Sequence, residues 1–458
     1  MNLNQKDLQI IFKKLFFKKK LKINKICINS KEAKKKSIFF AIKGKNTDGH
    51  FYAKEALQQG AEFAVVKNSY QVSRANKKNF LKVSSPLKFL EKTAQYQRNN
   101  SKGVFIGVTG SFGKTTLKFM LSFFLKKFGK TYSSPKSFNN HFGLPLSLSN
   151  TPANSKYNIF ELGMSDKGEI EQLSKILNPD IGVITNIGPA HLKNLKTLKK
   201  VCLAKSEIMN HIKKDGVVFL NKEDDYFGDL KKRAQIKKLQ IVTFAKSKIA
   251  DVQLLKTVKK NRKNYLIVKV FKNQFRIETK TFNDNFVVNF LITLSVFSYL
   301  GLDLKKIIKN AKNFPTPSGR GDLVVKTIDG KKVKIINESY NANPISMKNA
   351  IENFSSLAQS GKKKVAIIGD MLELGLKSKH YHEQITELLI NSRIDHVHLI
   401  GKEVAYIYQK LKKFKKCNIY NNINHFGEVF SKIANDKSIF LIKGSNGIGL
   451  SKLLNDKL

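Results

Sequence analysis

The run GVTGSFGKTT, Gly107 to Thr116, places three glycines ahead of a lysine and two threonines. That composition suits a phosphate chain. Glycines let backbone N–H groups converge on oxyanions, and a helix starting at the lysine adds the partial positive charge of its N-terminus. Lys114 would reach the terminal phosphates and Thr115 would offer its hydroxyl to Mg²⁺. Gly110, Ser111, Phe112, Gly113, Lys114, Thr115 and Thr116 are therefore candidates for holding a nucleotide. The common phosphate loop carries a glycine where this chain has Val108. Here the extra glycines are Gly107 and Gly110.

Polar residues of the right kind recur at other points. Glu161, in FELGMSDKGEI, closes an apolar run; a carboxylate there either helps hold Mg²⁺ or is a strand-end charge without a role. His191, in TNIGPAHL, follows a strand in a Gly–Pro turn, as a ligand or as a structural histidine. Asn139 and Asn140, in SFNNHFGLP, pair two neutral amides that either bind substrate or build a turn. NESYNANP clusters Tyr340, Asn341 and Asn343. GDMLELGLKSKHYH adds Asp370, Glu373 and His382, and KGSNG adds Lys443 and Ser445.

These residues need elements to hold them. Apolar runs such as GVFIGVTG, YNIFELG, IGVITNIG and GVVFLN each end in a polar or glycine turn before a helical pattern. Strand-then-helix alternation predicts an α/β fold with parallel sheets covered on both faces, and ligands then sit at the carboxyl ends of the strands. A chain of 458 residues is too long for one core. Pattern divides it into a small α/β domain over 1–98, a central P-loop ATPase-like domain over 99–316, and a C-terminal Rossmann-like domain over 317–458. NFPTPSGRGD marks the last boundary. Two sheets facing a shared cleft are expected.

Composition excludes several classes. No apolar run is long enough to span a membrane, and IIFKKLFFKKK is too broken by lysine for a signal peptide. A cytoplasmic protein without membrane insertion is expected. The three cysteines form no CxxC pair, which argues against a cysteine zinc site or a disulfide framework. The net charge of +50 would attract nucleic acid if it were concentrated. It is spread along the whole chain and carried mainly by lysine, so no specific nucleic-acid partner is expected; a basic nucleic-acid-stimulated ATPase is the alternative of different class.

With these motifs in place, the sequence resembles the Mur ligases, ATP-dependent amide-forming enzymes of cell-wall precursor synthesis. G-x-T-G-S-x-G-K-T-T, SFNNHFGLP, ELGMSDKGEI, TNIGPAHL with AKSEI after it, SGR and KGS match in order. YNANP and GDMLELG are similar to the member that adds D-alanyl-D-alanine to UDP-N-acetylmuramoyl-tripeptide; a tripeptide-forming or folylpolyglutamate-like ligase is the alternative within the superfamily, and the YAHTP-like and DNPR segments of the tripeptide-forming type are absent. The resemblance implies ATP and Mg²⁺ as cofactors, an acyl-phosphate intermediate and a monomer. It implies Thr115, Glu161, His191 and Lys205 as metal ligands, Lys205 as a carbamate, and Lys114, His191 and Lys205 as catalytic. Asn289 and Arg320, with Tyr340 and Asn341, would bind ATP. Ser30, Lys31, Asn139, Asn140, Asn343, Lys443 and Ser445 would bind substrate. Lys31, Asn285 and Asn446 stand where the family often has arginine, histidine and arginine.

Overall fold

The computed structural model describes residues 1, 3–13, 22–44, 46–72, 78–135, 137–357 and 361–455. The segment IIFKKLFFKKK falls largely outside the described residues.

The phosphate-loop strand, Val104–Thr109, sits inside a nine-stranded sheet, between Ile181–Ile184 on one side and Tyr157–Glu161 on the other, parallel to both. Thr131–Ser133 forms one edge. Beyond Ile181–Ile184 run Val217–Asn221 and Gln240–Ala245, also parallel. The sheet then continues through Val252–Lys260, Lys263–Val270 and Asn273–Thr279, an antiparallel extension that the strand-and-helix pattern did not anticipate. Connections from Val104–Thr109 run toward one edge, and those from Ile181–Ile184 toward the other. The two neighbouring strands thus define the topological switch point, where an open α/β sheet binds ligand.

Strand alternation sorts the core. Ile106 and Val108 face a layer built from helices Lys114–Leu125 and Asp284–Tyr299, with Leu117, Leu121, Phe124, Phe290 and Leu294 fully buried. Phe105, Phe160 and Leu162 face the opposite layer, where Leu173 and Leu177 of helix Glu169–Leu177 and Ile208 pack. Gly107 belongs to that second face. A Cβ built on it would lie 3.2 Å from Ile208 Cδ1 and 3.3 Å from Leu177 Cδ2. The unusual glycine ahead of the loop is therefore a packing glycine, which lets two helical segments approach the strand closely.

The N-terminal region carries four parallel strands, Lys25–Cys27, Ser37–Phe40, Phe63–Lys67 and Phe80–Val83. Helix Pro86–Asn99 leads from them onto the central sheet, and Arg98 on it donates to the carbonyls of Leu177 and Asn178 and pairs with Asp180 at 3.2 Å. The C-terminal region holds a six-stranded sheet in the order Asp322–Ile328, Lys331–Glu338, Ser438–Lys443, Lys363–Gly369, His396–Ile400, Lys416–Tyr420. Only the first pair is antiparallel.

His398, on the strand His396–Ile400, is 2% exposed and its Nε2 has no hydrogen-bond partner among the described residues. Its ring packs 5.2 Å from that of Phe426. Burial, with the neighbouring His396 and Lys416 opposing further charge, holds its pKa down at about 4. The unfolded chain therefore binds the extra proton first as pH falls below the ordinary histidine value. Stability should be intact above pH 6.5 and fall by about 2 kcal/mol between pH 7 and 5 from this residue alone. Urea unfolding of His398→Phe at both pH values checks this: the variant should lose that part of the acid sensitivity, and an unchanged pH dependence would contradict it.

Candidate active site

A cavity of about 490 Å³ opens between the central and C-terminal sheets. From the central side it is lined by Ser111 to Thr116, Asn139, Asn140, Glu161 and His191. From the C-terminal side come Arg320, Glu338, Tyr340, Asn341, Asn343 and Lys443. Residues far apart in the chain, such as Thr115 and Arg320 with a separation of 205, thus meet because both sheets point their strand ends at one space.

The phosphate loop is held by the turn after Ile181–Ile184. Ser111 N donates to Asn186 O, Ser111 Oγ donates to Gly188 O, Phe112 N donates to Asn186 Oδ1 at 3.0 Å, and Thr185 Oγ1 donates to Phe112 O at 2.7 Å. Gly110 has φ +144, and a Cβ there would lie 1.9 Å from Thr185 Oγ1. Gly113, at φ +82, precedes the helix Lys114–Leu125 as its N-cap. No side chain among the described residues caps that helix, and its first residues, Lys114 to Thr116, line the cavity. Lys114 Nζ donates to Gly110 O at 2.7 Å, folded back across the loop.

Glu161 is 2% exposed and is the hub of the central wall. Its Oε2 accepts from Thr115 Oγ1 at 2.9 Å and its Oε1 from Asn139 Nδ2 at 2.9 Å, with Lys118 Nζ 3.9 Å away. Arg320 crosses from the other wall to donate to Thr115 Oγ1 at 3.0 Å, and its guanidinium stacks 4.1 Å over the Tyr340 ring. The Tyr340 hydroxyl meets Ser137 Oγ. Lys443 lies 3.6 Å from Glu338. Burial lowers the proton affinity of Lys114, Lys118, Arg320 and Lys443.

Lys205, on helix Leu198–Ser206, is 1% exposed and its ammonium makes no hydrogen bond or ion pair among the described residues. Burial, reinforced by the nearby Lys114, drops its pKa well below the ordinary lysine value. No sequence pattern separates it from the other lysines; what distinguishes it is the depth of its burial. His191 has φ +58 and lies on the cavity wall, with Nδ1 2.7 Å from Glu373 Oε2.

Some residues singled out from sequence lie elsewhere. Asn289 is buried against Gly113 of the loop, whose added Cβ would meet its Oδ1 at 3.3 Å, and Asn285 and Phe286 line the cavity. Ser445 Oγ accepts from Leu372 N within the C-terminal domain. Ser30 and Lys31 stand in the N-terminal domain and do not line the cavity. Asp370 caps Lys402 and Val404, and His382 Nε2 accepts from Met371 N; both build the sheet end rather than face the cavity.

A parallel sheet with a phosphate loop at its switch point, closed by a second α/β domain, defines a nucleotide-dependent enzyme of the two-sheet type. The Mur ligase middle-domain model matches residues 108–297, the Mur ligase glutamate ligase domain 319–446, and the Mur ligase family catalytic domain 22–98. A UDP-N-acetylmuramoyl-tripeptide--D-alanyl-D-alanine ligase of Rickettsia prowazekii is 32% identical over 94% of each chain. The crystal structure of MurF from Acinetobacter baumannii superposes with a TM-score of 0.85 at 25% identity, covering 99% of this chain and 98% of that one. MurF ligase from Thermotoga maritima, in complex with ADP, gives 0.78 at 27% identity over 94% and 96%. This chain belongs to the Mur ligase family.

Gly110→Ala should force the loop away from Thr185, with strain of about 1–3 kcal/mol, and weaken binding of a non-hydrolysable ATP analogue by about tenfold or more. Calorimetric titration measures it. Unchanged affinity would mean that the loop does not hold the nucleotide.

Proposed function

We infer that the chain is an ATP-dependent ligase that adds D-alanyl-D-alanine to UDP-N-acetylmuramoyl-tripeptide, giving the pentapeptide precursor of peptidoglycan. The carrying observation is the shared cavity, where the phosphate loop and Glu161 face Arg320, Tyr340 and Lys443. The similarity to D-alanyl-D-alanine-adding ligases over nearly the whole chain supports it. No helix among the described residues is long and apolar enough to cross a membrane, which fits soluble substrates; a cytoplasmic monomer that needs no nucleic acid is part of the proposal. The three domains, over 1–98, 99–316 and 317–458, would take the uridine nucleotide, ATP and the closing ligase role.

A carboxylate is a poor acyl donor because its leaving group would be oxide. In the proposed reaction a carboxylate oxygen of the tripeptide bonds to the γ-phosphorus and the bond to the β–γ bridging oxygen breaks, releasing ADP. The dipeptide amine then bonds to the acyl carbon, phosphate departs with its oxygen, and the amine loses a proton. Lys114 and the loop N–H groups would neutralise the triphosphate, and Arg320 would reach it from the other wall. Tyr340, Asn341 and Asn343, with Asn139 and Asn140, would align the incoming dipeptide, and closure would keep water from the acyl phosphate.

The donor set fits Mg²⁺. Thr115 Oγ1 and Glu161 Oε2 are hard oxygens 2.9 Å apart beside the phosphate loop, which suits an ion that takes few protein ligands and completes its shell with phosphate oxygens. His191, and Lys205 as a carbamate, would complete a second site; the bound ions would supply charge neutralisation on the phosphates. Burial lowers the proton affinity of Lys205, which favours the neutral amine that would attack carbon dioxide, lose a proton and become an anion beside Lys114.

Incubation with ATP, Mg²⁺, UDP-muramoyl-tripeptide and D-alanyl-D-alanine, followed by phosphate release and product mass, should show dipeptide-dependent turnover. ATP hydrolysis driven by DNA or RNA but indifferent to the dipeptide would sink the ligase reading. Lys205→Ala should lower turnover by about 100-fold, with partial recovery on adding a small carboxylate. A fully active variant would overturn the carbamate assignment.

A further inference from the structure

We propose that Glu373, on the C-terminal domain, is the positioning residue for His191 on the central domain, so that docking of one domain completes the metal side of the other. The inference rests on the reading of His191 as a metal ligand. Three observations carry it. The Glu373 carboxylate is 2.7 Å from His191 Nδ1, leaving Nε2 as the remaining donor nitrogen of a ring on the cavity wall. Both residues hold left-handed backbone, φ +58 at His191 and φ +68 at Glu373, a conformation uncommon for either and kept where the surroundings demand it. The two loops are also docked through their backbones: Lys193 N donates to Glu373 O at 3.0 Å, and Gly375, at φ +59, lies so close that an added Cβ would be 2.9 Å from Lys193 Cα.

The chemistry follows from the imidazole. A histidine that binds a metal through one nitrogen commonly gives its other N–H to a carboxylate, which fixes the tautomer and raises the basicity of the ligating nitrogen. Glu373 stands where that carboxylate belongs, although it comes from a different domain. The pair is close without forming an aligned hydrogen bond, and Nδ1 has no other hydrogen-bond partner among the described residues. Such contacts tighten when the ligand arrives. A device of this kind would let the second ion bind firmly only when the C-terminal domain is seated, which ties metal loading to closure.

The variants separate the carboxylate from the docking. Any side-chain substitution at Glu373 keeps the Lys193 N–H to Glu373 carbonyl bond, and Glu373→Gly also relieves the positive φ, so that variant should fold at least as well as the parent. Mn²⁺ binding to the full chain, with a non-hydrolysable ATP analogue, is followed by electron paramagnetic resonance for the parent, His191→Ala, Glu373→Gly and Glu373→Gln. Weaker Mn²⁺ binding is expected in His191→Ala. Glu373→Gly should raise the dissociation constant of the weaker ion by about 10–100-fold, Glu373→Gln by less, and excess Mg²⁺ should restore kcat in Glu373→Gly with KM for ATP little changed. Parent-like Mn²⁺ binding in both Glu373 variants, alongside a defect in His191→Ala, would overturn the positioning role and leave the metal reading intact. Parent-like binding in all three would overturn both. A fall in kcat that excess metal does not reverse, with Mn²⁺ binding intact, would reduce Glu373 to a docking contact.

Discussion

Lys114, Arg320 and Lys443 line one small space, with Lys118 beside its Glu161 and Lys205 near Lys114, and few carboxylates answer these basic groups. Lys114, Lys118, Lys205, Arg320 and Lys443 all have their proton affinity lowered by burial. Glu161 and Glu338 are the carboxylates placed among them, while Glu169 is turned back to accept from Ser165 N. Burying charged groups that are answered largely by neutral oxygens is costly, and the rest of the fold must offset that cost. What would relieve it is a ligand bearing several negative charges.

The rest of the molecule serves to hold those cations in place. The central sheet supplies Lys114, Lys118 and Glu161 from strand ends and from the first turns of one helix; the C-terminal sheet brings Arg320, Glu338 and Lys443. The loops after Val104–Thr109 and Ile181–Ile184 fasten to each other through Thr185, Asn186 and Gly188. That bracing fixes the phosphate loop before any ligand binds, which lowers the ordering cost of binding. Contacts between the two walls, Arg320 to Thr115 and Tyr340 to Ser137, use the same groups that the nucleotide and the ion would engage. Binding must therefore exchange partners across the cleft rather than simply fill it.

Much of this was legible in the residues because local patterns carry it. Strand, glycine turn and helix around Gly107–Thr116 announced the phosphate loop, and polar residues at successive strand ends announced a cleft between two sheets. What remained hidden was tertiary. Gly107 reads as part of the loop in sequence, yet its role is to admit Ile208 and Leu177 against the strand. Lys205 looks like any other lysine until its burial is seen. Asn289, assigned to the nucleotide by resemblance, is buried against Gly113 of the loop, and helix Asp284–Tyr299 presents Asn285 and Phe286 to the cavity. The antiparallel strands over 252–279 were missed because their half-exposed alternation resembles loop sequence as much as strand. Asp370 and His382 drew notice as strand-end polar groups, and hydrogen bonds within their own domain account for both.

The proton balance of binding tests the central constraint most directly. A base whose proton affinity is lowered by burial among like charges regains it when a polyanion arrives. Calorimetric titration with a non-hydrolysable ATP analogue, without metal, at pH 9 and in buffers of different ionisation enthalpy reads that exchange as protons per site. Net proton uptake is expected as the buried lysines regain charge against the phosphates. Binding with no uptake, or with proton release, would contradict a site whose cations wait for phosphate.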